Sequence, residues 1–527
     1  MQILSLFIVF LVLLTFRLFK LQIYPNEKVV LSYQNHQQEN ISDMKYMILD
    51  TNGKDLMNYN KQYILVIDTK PFSLNNYEET LESLMALNFI MKSENPQFNY
   101  TDIMKENGKI YYSISENTYK KINSLKNIKG IYTYTKDSVN IKKAWNISSM
   151  LSNVLDEKEI EKDSIEGMLY DELKDNESPK SEFYLDDRAV YSKHTVNINE
   201  NNKNLQLTID KNFEDEIRKV LDDDKYSSLK NVGVSIIESE TGKIRALMQK
   251  DESEANINLG IEQIGYEPGS IYKIITLGSA IDMGLLNINN HFMCTGQICK
   301  TAHGNLSVEE AFEKSCNDSF TQIGAMVGYD KLLAYSENQG LYKPVLNFKG
   351  NNKNEAAGIK PEKESGVNNI SIGQCMNVTP IQMLGAINTV TNNGIYVKPY
   401  IVEAIIDKND NTIKEFKTEE KRIYSETTSK ILKNAMREVV VNGTGKNAYI
   451  EDIFTGGKTG SATGNNNHTH GWFAGYFELN GKEYTMVIFT PEIQDQSLGG
   501  GDTAAPIFKE DRKSTRLNSS HVKISYA

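Results

Sequence analysis

Between Ile271 and Leu286 the chain runs apolar nearly all round, with Lys273 and Asp282 its only charged residues. A helix that is apolar on every side has to be covered on every side. The stretch therefore predicts a helix in the middle of a large domain. A chain of 527 residues has room for two or three domains of about 100–200 residues each. With 39% hydrophobic and 24% charged residues it is globular in composition, which excludes disordered and collagen-like classes. Lys and Arg number 58 against 69 Asp and Glu, a net charge of −11, and that balance gives no support to nucleic-acid binding. Four cysteines cannot form a disulfide scaffold in a chain of this length.

The two ends stand apart from the rest. Gln2 to Phe16 carries no charge, and at 1.5 Å per residue it spans about 22 Å, short of a hydrocarbon core of about 30 Å. Arg17 and Lys20 lie among Leu18, Phe19, Leu21 and Ile23, and their long stems can snorkel and extend the span towards Tyr24. A single transmembrane anchor over residues 1–24 is expected, since a basic start and an A-x-A-like cleavage site are both lacking. At the other end, residues 511–527 read D-R-K-S-T-R-L-N-S-S-H-V-K-I-S-Y-A and resemble an in-frame translation of a common sequencing adapter. They are set aside as a cloning or assembly artefact, and the domain's final helix and native C-terminus are expected to be missing. Without that tail's Arg512, Lys513, Arg516 and Lys523 the chain is more acidic still.

Strand-like segments at 45–49 and 63–67 flank the turn Asp50-Thr51-Asn52-Gly53 and predict a hairpin. The polar, Asn-rich stretch from Asn176 to Asn204 predicts a linker or long surface loop and a domain boundary near residue 203. Beyond it, Leu205–Asp210 is strand-like and Lys211–Leu221 helical. Val232–Ile237 and Lys243–Gln249 predict a second hairpin, and Gly471–Leu479 with Glu483–Thr490 a third across Asn480-Gly481. Strands at both ends of the segment with helices between them predict one sheet closed by its first and last strands, an α+β domain.

Three short motifs carry the chemistry: Ser270-Ile271-Tyr272-Lys273, Ser315-Cys316-Asn317 and Lys458-Thr459-Gly460. Singly the first two are close to chance, since S-x-x-K recurs at Ser42, Ser227 and Ser520, whereas K-T-G occurs once. Ser270 follows the turn Glu267-Pro268-Gly269 and falls at the first turn of the apolar helix. Free N–H groups there favour an anion, and Lys273 lies on the same face. A serine hydroxyl needs a base to become a nucleophile, and a lysine serves only if burial or a nearby cation brings its pKa down from about 10.4. Lys458 is expected to supply that cation. An N-cap serine with an exposed lysine accounts for Ser42 and Ser227; it does not account for a lysine among Ile, Leu and Ala.

Together these motifs resemble those of the penicillin-binding protein transpeptidases. Tyr266 to Ser270, Ser371-Ile372-Gly373-Gln374 with Val378-Thr379-Pro380, Gly457 to Ala462 and His470 to Gly475 are similar to further signatures of that family. The resemblance implies a fold of the β-lactamase/transpeptidase type, an antiparallel sheet flanked by helices. It implies Ser270 as nucleophile, Lys273 as its base, and Ser315 and Asn317 as the opposite wall, relaying a proton and holding the substrate's peptide bond. Lys458, Thr459, Gly460 and Ser461 would bind the substrate, Lys458 and Thr459 through its carboxylate, and the backbone N–H groups of Ser270 and Ser461 would form an oxyanion hole. The implied reaction is D,D-transpeptidation, in which a D-Ala-D-Ala stem peptide is the donor and an amine on a neighbouring stem the acceptor; β-lactams stall at the acyl-enzyme. No cofactor and no metal are implied.

Ile48 to Lys54 and Ser164-Ile165-Glu166-Gly167 with Tyr170 and Leu173 resemble the class B, monofunctional subtype, although Ser164 stands where that subtype usually has Gly. The domains expected are an anchor (1–24), a mixed α/β pedestal or dimerisation-type domain (25–203), the transpeptidase domain (204–510) and the tail (511–527). The subtype implies a single-pass protein of the cell membrane with its catalytic domain outside, and pairing with a SEDS-family glycosyltransferase. A D,D-carboxypeptidase or a serine β-lactamase shares the three motifs; the latter needs a carboxylate that activates water, for which Glu337 is the one suggestive residue. A catalytically silent scaffold of wall assembly is the reading from another class. His468 and His470 lack an evident third metal ligand. Cys294 and Cys299 are close enough in sequence to pair, and Cys316 and Cys375 are expected to be packed small residues.

Overall fold

The computed structural model describes residues 2–23, 36–139, 145–158, 160–299, 301–350, 353–451, 453–464 and 468–511. Two compact units divide the chain. One holds Met1–Tyr46, Asn58–Asn140 and Asn176–Asn202; the other holds Met47–Met57, Ile141–Asp175 and Lys203–Ala527. A single cut at 203 therefore misses two segments that fold with the second unit.

In the first unit, Tyr59–Asp68 is the central strand of an antiparallel sheet between Lys109–Ile114 and Ile131–Val139. Its alternation sends Leu65 and Ile67 into a core with Phe72, Leu84, Leu87 and Met91, and Val66 to the other face with Tyr132, Tyr134 and Phe183. The hairpin expected between 45–49 and 63–67 does not form: the chain turns back at Asp50–Gly53, but Leu49 meets Asp55 and the Ile48 carbonyl accepts from the Leu56 N–H. Ile48–Leu49 instead pairs in parallel with Lys203–Leu207, while the Asp50 carboxylate accepts from the N–H groups of Asn52, Lys54 and Lys211. The expected linker is also structured: Lys180–Leu185 and Tyr191–Asn197 pair with each other, and the former pairs with His36–Asn40. Few of its residues are apolar, because only one face of that small sheet is covered: Ser181 and Phe183 are buried between outward neighbours.

Gln2–Ile23 is a 22-residue helix whose described side chains, from Phe7 to Phe19, are exposed. Among the described residues no helix is long and apolar enough to cross a membrane. The expected span is not borne out there; Tyr24 and residues 25–35 lie outside the described residues.

The second unit is built on a five-stranded antiparallel sheet. Its elements in chain order are α1 (Lys211–Leu221), β1 (Gly233–Glu238), β2 (Ile244–Gln249), α2 (Lys273–Asp282), α3 (Asn317–Val327), α4 (Pro380–Thr391), α5 (Glu426–Val441), β3 (Gly456–Thr463), β4 (Thr469–Leu479), β5 (Lys482–Ile493) and α6 (500–511). The strand order is β2-β1-β5-β4-β3, so the first and last strands of this sheet meet, whereas Lys203–Leu207, the segment's first strand, pairs with Val402–Asp407 in another sheet. Alternate residues of β4 enter different cores. Trp472, Ala474 and Tyr476 join Ile271, Ile275 and Leu277 on the α2 side; Phe473 and Phe477 join Phe213, Ile217, Ala504 and Phe508 on the other. Fully burying side chains of this size contributes roughly 1.5–3 kcal/mol each.

α2 is shorter than the apolar run. A 3₁₀ turn, Gly269–Tyr272, precedes it, and Gly284 takes a left-handed φ of +69° just past its end. Within it Lys273 to Ala280 are all buried, as the all-round apolar pattern requires. α6 stands where the domain's final element was expected to be missing, and its Ala504, Ala505, Ile507 and Phe508 pack into the second core. Of the adapter-like tail only Asp511 lies within the described residues.

Candidate active site

Ser270 sits half-buried on the 3₁₀ turn, and backbone contacts hold that turn in place. Gly269 has a φ of +55°, and a Cβ there would lie 2.4 Å from the carbonyl oxygen of Ser461 on β3. Its N–H donates to the Gly373 carbonyl at 3.0 Å, and a Cβ on Gly373 would meet the Gly269 oxygen at 2.1 Å. Only glycine fits either position. The Ser371–Gln374 stretch thus braces the turn from behind, helped by Thr276, whose hydroxyl donates to the Ser371 carbonyl at 2.8 Å. Trp472 adds an indole N–H to the Glu267 carbonyl at 3.0 Å.

Lys273 is fully buried at the start of α2. Its Nζ donates to the Ser315 carbonyl (2.7 Å), the Ser315 hydroxyl (3.2 Å) and Asn317 Oδ1 (2.6 Å). The first and second motifs are therefore bonded to each other. No hydrogen bond joins Lys273 to Ser270 among the described residues; such contacts commonly tighten only when substrate is bound. Ser315 holds a φ of +55°, sparsely populated for a residue with a Cβ. The hydrogen bonds from Lys273 help to offset that strain.

Lys458, also fully buried, lies on β3, the edge strand, and donates to the Thr459 carbonyl at 3.1 Å. Burial brings the Lys273 pKa down to about 7. Lys458 is held well below the ordinary lysine value by burial first and by the Lys273 charge second. The expected order of cause is thus corrected: desolvation, rather than the Lys458 cation, depresses Lys273, and the repulsion falls on Lys458. Thr459 is buried with its Oγ1 2.7 Å from Thr444 Oγ1. Gly460 packs against the Pro268 carbonyl, and the exposed Ser461 accepts at Oγ from the Gly500 N–H at 3.3 Å. Thr444 was not legible as a site residue, since a lone threonine in N-G-T-G carries no pattern.

Other candidates fall away from this centre. Glu337 is half-buried and ion-paired with Lys360, and among the described residues no carboxylate bonds to Lys273, Ser315 or Asn317. His470 Nδ1 accepts from the Glu492 N–H at 3.1 Å, and burial holds its pKa low, as befits a packed histidine. Cys294 and Cys299 are not paired in a disulfide. Cys375, expected to be packed, is exposed, its N–H donating to Glu267 Oε1. Cys316 is buried, and with Cys294, Cys299 and His303 it forms a set of donor atoms all within 4.8 Å of one another. The sequence held the signal, C-x₄-C-x₃-H followed by the cysteine of the second motif, and pairing Cys294 with Cys299 hid it.

Set against known proteins, residues 232–511 match the model of the penicillin binding protein transpeptidase domain. The chain belongs to this family. Stage V sporulation protein D of Bacillus subtilis is 30% identical over 263 residues, 45% of this chain and 40% of that protein. Penicillin-binding protein PbpB of Mycolicibacterium smegmatis is 27% identical over 275 residues, 46% and 41% of the two chains. The chain thus matches about two fifths of the length of these curated relatives. Among solved structures, penicillin binding protein 2X from Streptococcus thermophilus superposes with a TM-score of 0.66 at 18% identity, covering 91% of this chain and 80% of that one. A peptidoglycan synthetase from Bifidobacterium adolescentis gives 0.62 at 16% identity over 92% and 97%. These likenesses show the fold, and the transpeptidase domain they share is the unit that carries the three motifs.

Proposed function

We propose that the chain is a class B, monofunctional penicillin-binding protein, a peptidoglycan D,D-transpeptidase that works through an acyl-enzyme on Ser270. The observation that carries this is the hydrogen bonding of buried Lys273 to both Ser315 and Asn317, one turn from Ser270. A lysine with a pKa near 7 is half neutral at physiological pH and can take the Ser270 proton. The serine oxygen attacks the carbonyl carbon of the penultimate D-Ala. The backbone N–H groups of Ser270 and Ser461 hold the oxyanion, where losing one donor typically costs about 2.7–4 kcal/mol. Ser315 passes a proton to the departing D-Ala nitrogen and Asn317 holds the peptide bond. An amine of a neighbouring stem then takes the acyl group and frees the serine. Lys458 and Thr459 bind the terminal carboxylate, whose charge favours the protonated form of Lys458.

A β-lactam mimics the donor and remains on Ser270. The carboxylate of Glu337, paired with Lys360 and not bonded to Lys273, Ser315 or Asn317, speaks against the rapid deacylation of a β-lactamase. The exposed apolar helix Gln2–Ile23 supports attachment to the cell membrane, with the rest of the chain on the outer side where the substrate lies. In that setting the first unit serves as a pedestal, and a SEDS-family glycosyltransferase is the partner proposed.

The test is labelling with fluorescent penicillin. The full chain in detergent should take up one label that persists, and Ser270→Ala should lose it entirely. Rapid release of the label would turn the assignment towards a β-lactamase, and labelling of Ser270→Ala would overturn it.

A further inference from the structure

The hairpin His291–Cys294 with Gly304–Ser307 carries Cys294 at its tip, and its connecting loop carries Cys299 and His303. Cys316 comes from the turn that opens α3. Cys294 Sγ lies 3.4 Å from His303 Nδ1, and Cys299 Sγ lies 3.7 Å from Cys316 Sγ. Four ligands on a tetrahedral zinc, with Zn–S of about 2.3 Å and Zn–N of about 2.0–2.1 Å, stand roughly 3.5–3.8 Å apart. The observed separations match that edge. They do not match a disulfide, whose sulfurs lie about 2.05 Å apart, and all four cysteines are free thiols. Three sulfurs and one imidazole are a soft, tetrahedral donor set, which suits zinc better than magnesium or calcium. The loop is held over the site from one side: the Asp318 carboxylate accepts from Thr295 N–H (2.6 Å), Thr295 Oγ1–H (3.0 Å) and Gly296 N–H (3.1 Å). Gln322 ties the adjoining strand to α3 through the Met293 carbonyl at 2.9 Å.

We propose that Cys294, Cys299, His303 and Cys316 bind one zinc ion, and that this ion fixes the Ser315–Asn317 turn of the candidate active site. Cys316 stands between the two residues that Lys273 bonds, so a metal bond to its sulfur restrains the backbone on both sides. Cys316 Sγ accepts weak bonds from Ser319, at 3.5 Å from the N–H and 3.3 Å from the hydroxyl, beside its 3.7 Å contact with Cys299 Sγ. Zinc binding replaces those contacts with a bond to a thiolate and releases the thiol protons. The four ligands are positioning residues: they act through Ser315 and Asn317 and touch no substrate. The metal site rests on its own geometry, whereas its effect on acylation rests on the transpeptidase reading, and the two are read by separate measurements.

Full chain purified under reducing, chelator-free conditions should hold one zinc per chain, and cobalt should replace it with a thiolate-to-metal charge-transfer band. Cys299→Ser and His303→Ala should lose most of the metal, whereas Cys375→Ser, outside the cluster, should keep it. Should the variants not fold, the unaltered chain gives the same test: stripping its zinc with a strong chelator should raise the reactive thiols from one, Cys375, to four. Metal content below about a tenth per chain after zinc addition, or equal content in all three variants, overturns the site. Removing the ion should slow acylation by fluorescent penicillin about tenfold, the size expected of a group that orients others around a centre. That loss should fall on the acylation rate constant rather than on half-saturation, and added zinc should restore it. An acylation rate that ignores removal of a bound ion overturns the positioning role.

Discussion

The two walls of the candidate site are built in different ways. Around Ser270 the tightest contacts are backbone against backbone, Gly269 against Ser461 and Gly373 against Gly269, with no room for a Cβ at either glycine, and Thr276 and Trp472 add side-chain bonds behind them. Around Ser315 and Asn317 the turn has backbone bonds of its own, Ser315 N–H to the Phe312 carbonyl and Cys316 N–H to the Ala311 carbonyl, but its tie to the nucleophile's helix is a side chain, Lys273, and Ser315 keeps a left-handed φ. Backbone contacts of that kind have one arrangement. Side-chain contacts can be remade as protons and ligands come and go. A nucleophile must stay where the oxyanion donors are, whereas the residues that pass a proton must change partners during turnover. The rigid wall and the adjustable wall match those two duties.

The largest expected effect comes from the residue that bridges them. Lys273→Met keeps the length of the side chain and removes its charge and donors. It should slow acylation by fluorescent penicillin about 10²–10⁴-fold, the usual range for loss of a general base. A rate within a factor of about three of the unaltered chain would break the comparison at its centre. Gly373→Ala probes the rigid wall. The new methyl meets the Gly269 oxygen at 2.1 Å, and a stability loss of about 2–4 kcal/mol is expected in denaturant unfolding. Gly284→Ala is the control, since its Cβ would meet nothing within 4 Å although φ is also positive; it should cost only about 1–2 kcal/mol. Equal losses at both glycines would mean that backbone conformation, not the close approach, is what Gly373 supplies.

The same contrast separates what could be read in the sequence from what could not. In the rigid wall the buried helix was legible from its apolar run, whereas Gly269 and Gly373 were reached only through the resemblance to family signatures and their close approaches were not legible. The α2 stretch, the two hairpins that bound the sheet and the lysine within the run all followed from pattern. The adjustable wall was half legible: Ser315 and Asn317 could be named, but the bonds from Lys273 and the gathering of Cys294, Cys299, His303 and Cys316 are products of tertiary folding. The hairpin expected at Asp50 failed because the Asp50 carboxylate caps a local turn and strand Ile48–Leu49 finds a partner far along the chain. The expected linker failed because Lys180–Leu185 and Tyr191–Asn197 pair with little apolar surface to announce them.

A smaller effect sharpens the electrical side of the comparison. Lys273 acts as a base only when neutral, and burial sets its pKa at about 7. Acylation should therefore fall as pH drops through 7, about tenfold between pH 8 and pH 6. A flat profile over that range would mean that Lys273 is not the group whose proton state limits the step.

The smallest effect concerns Thr444, whose Oγ1 lies 2.7 Å from Thr459 Oγ1 beside the edge strand. Both walls would be left untouched by Thr444→Val, which keeps the shape of the side chain and removes the hydroxyl. The Thr459 hydroxyl, buried, would lose its partner, at a cost of about 1 kcal/mol. Thr459 is proposed to meet the substrate carboxylate, so the cost should appear as roughly fivefold weaker half-saturation by penicillin, with the acylation rate constant unchanged. A fall in the rate constant instead would tie Thr444 to the nucleophile wall. The distinction is informative because β3 would serve both purposes: Thr459 is the residue proposed to meet the carboxylate, and Ser461, two residues on, lies against Gly269 beside Ser270.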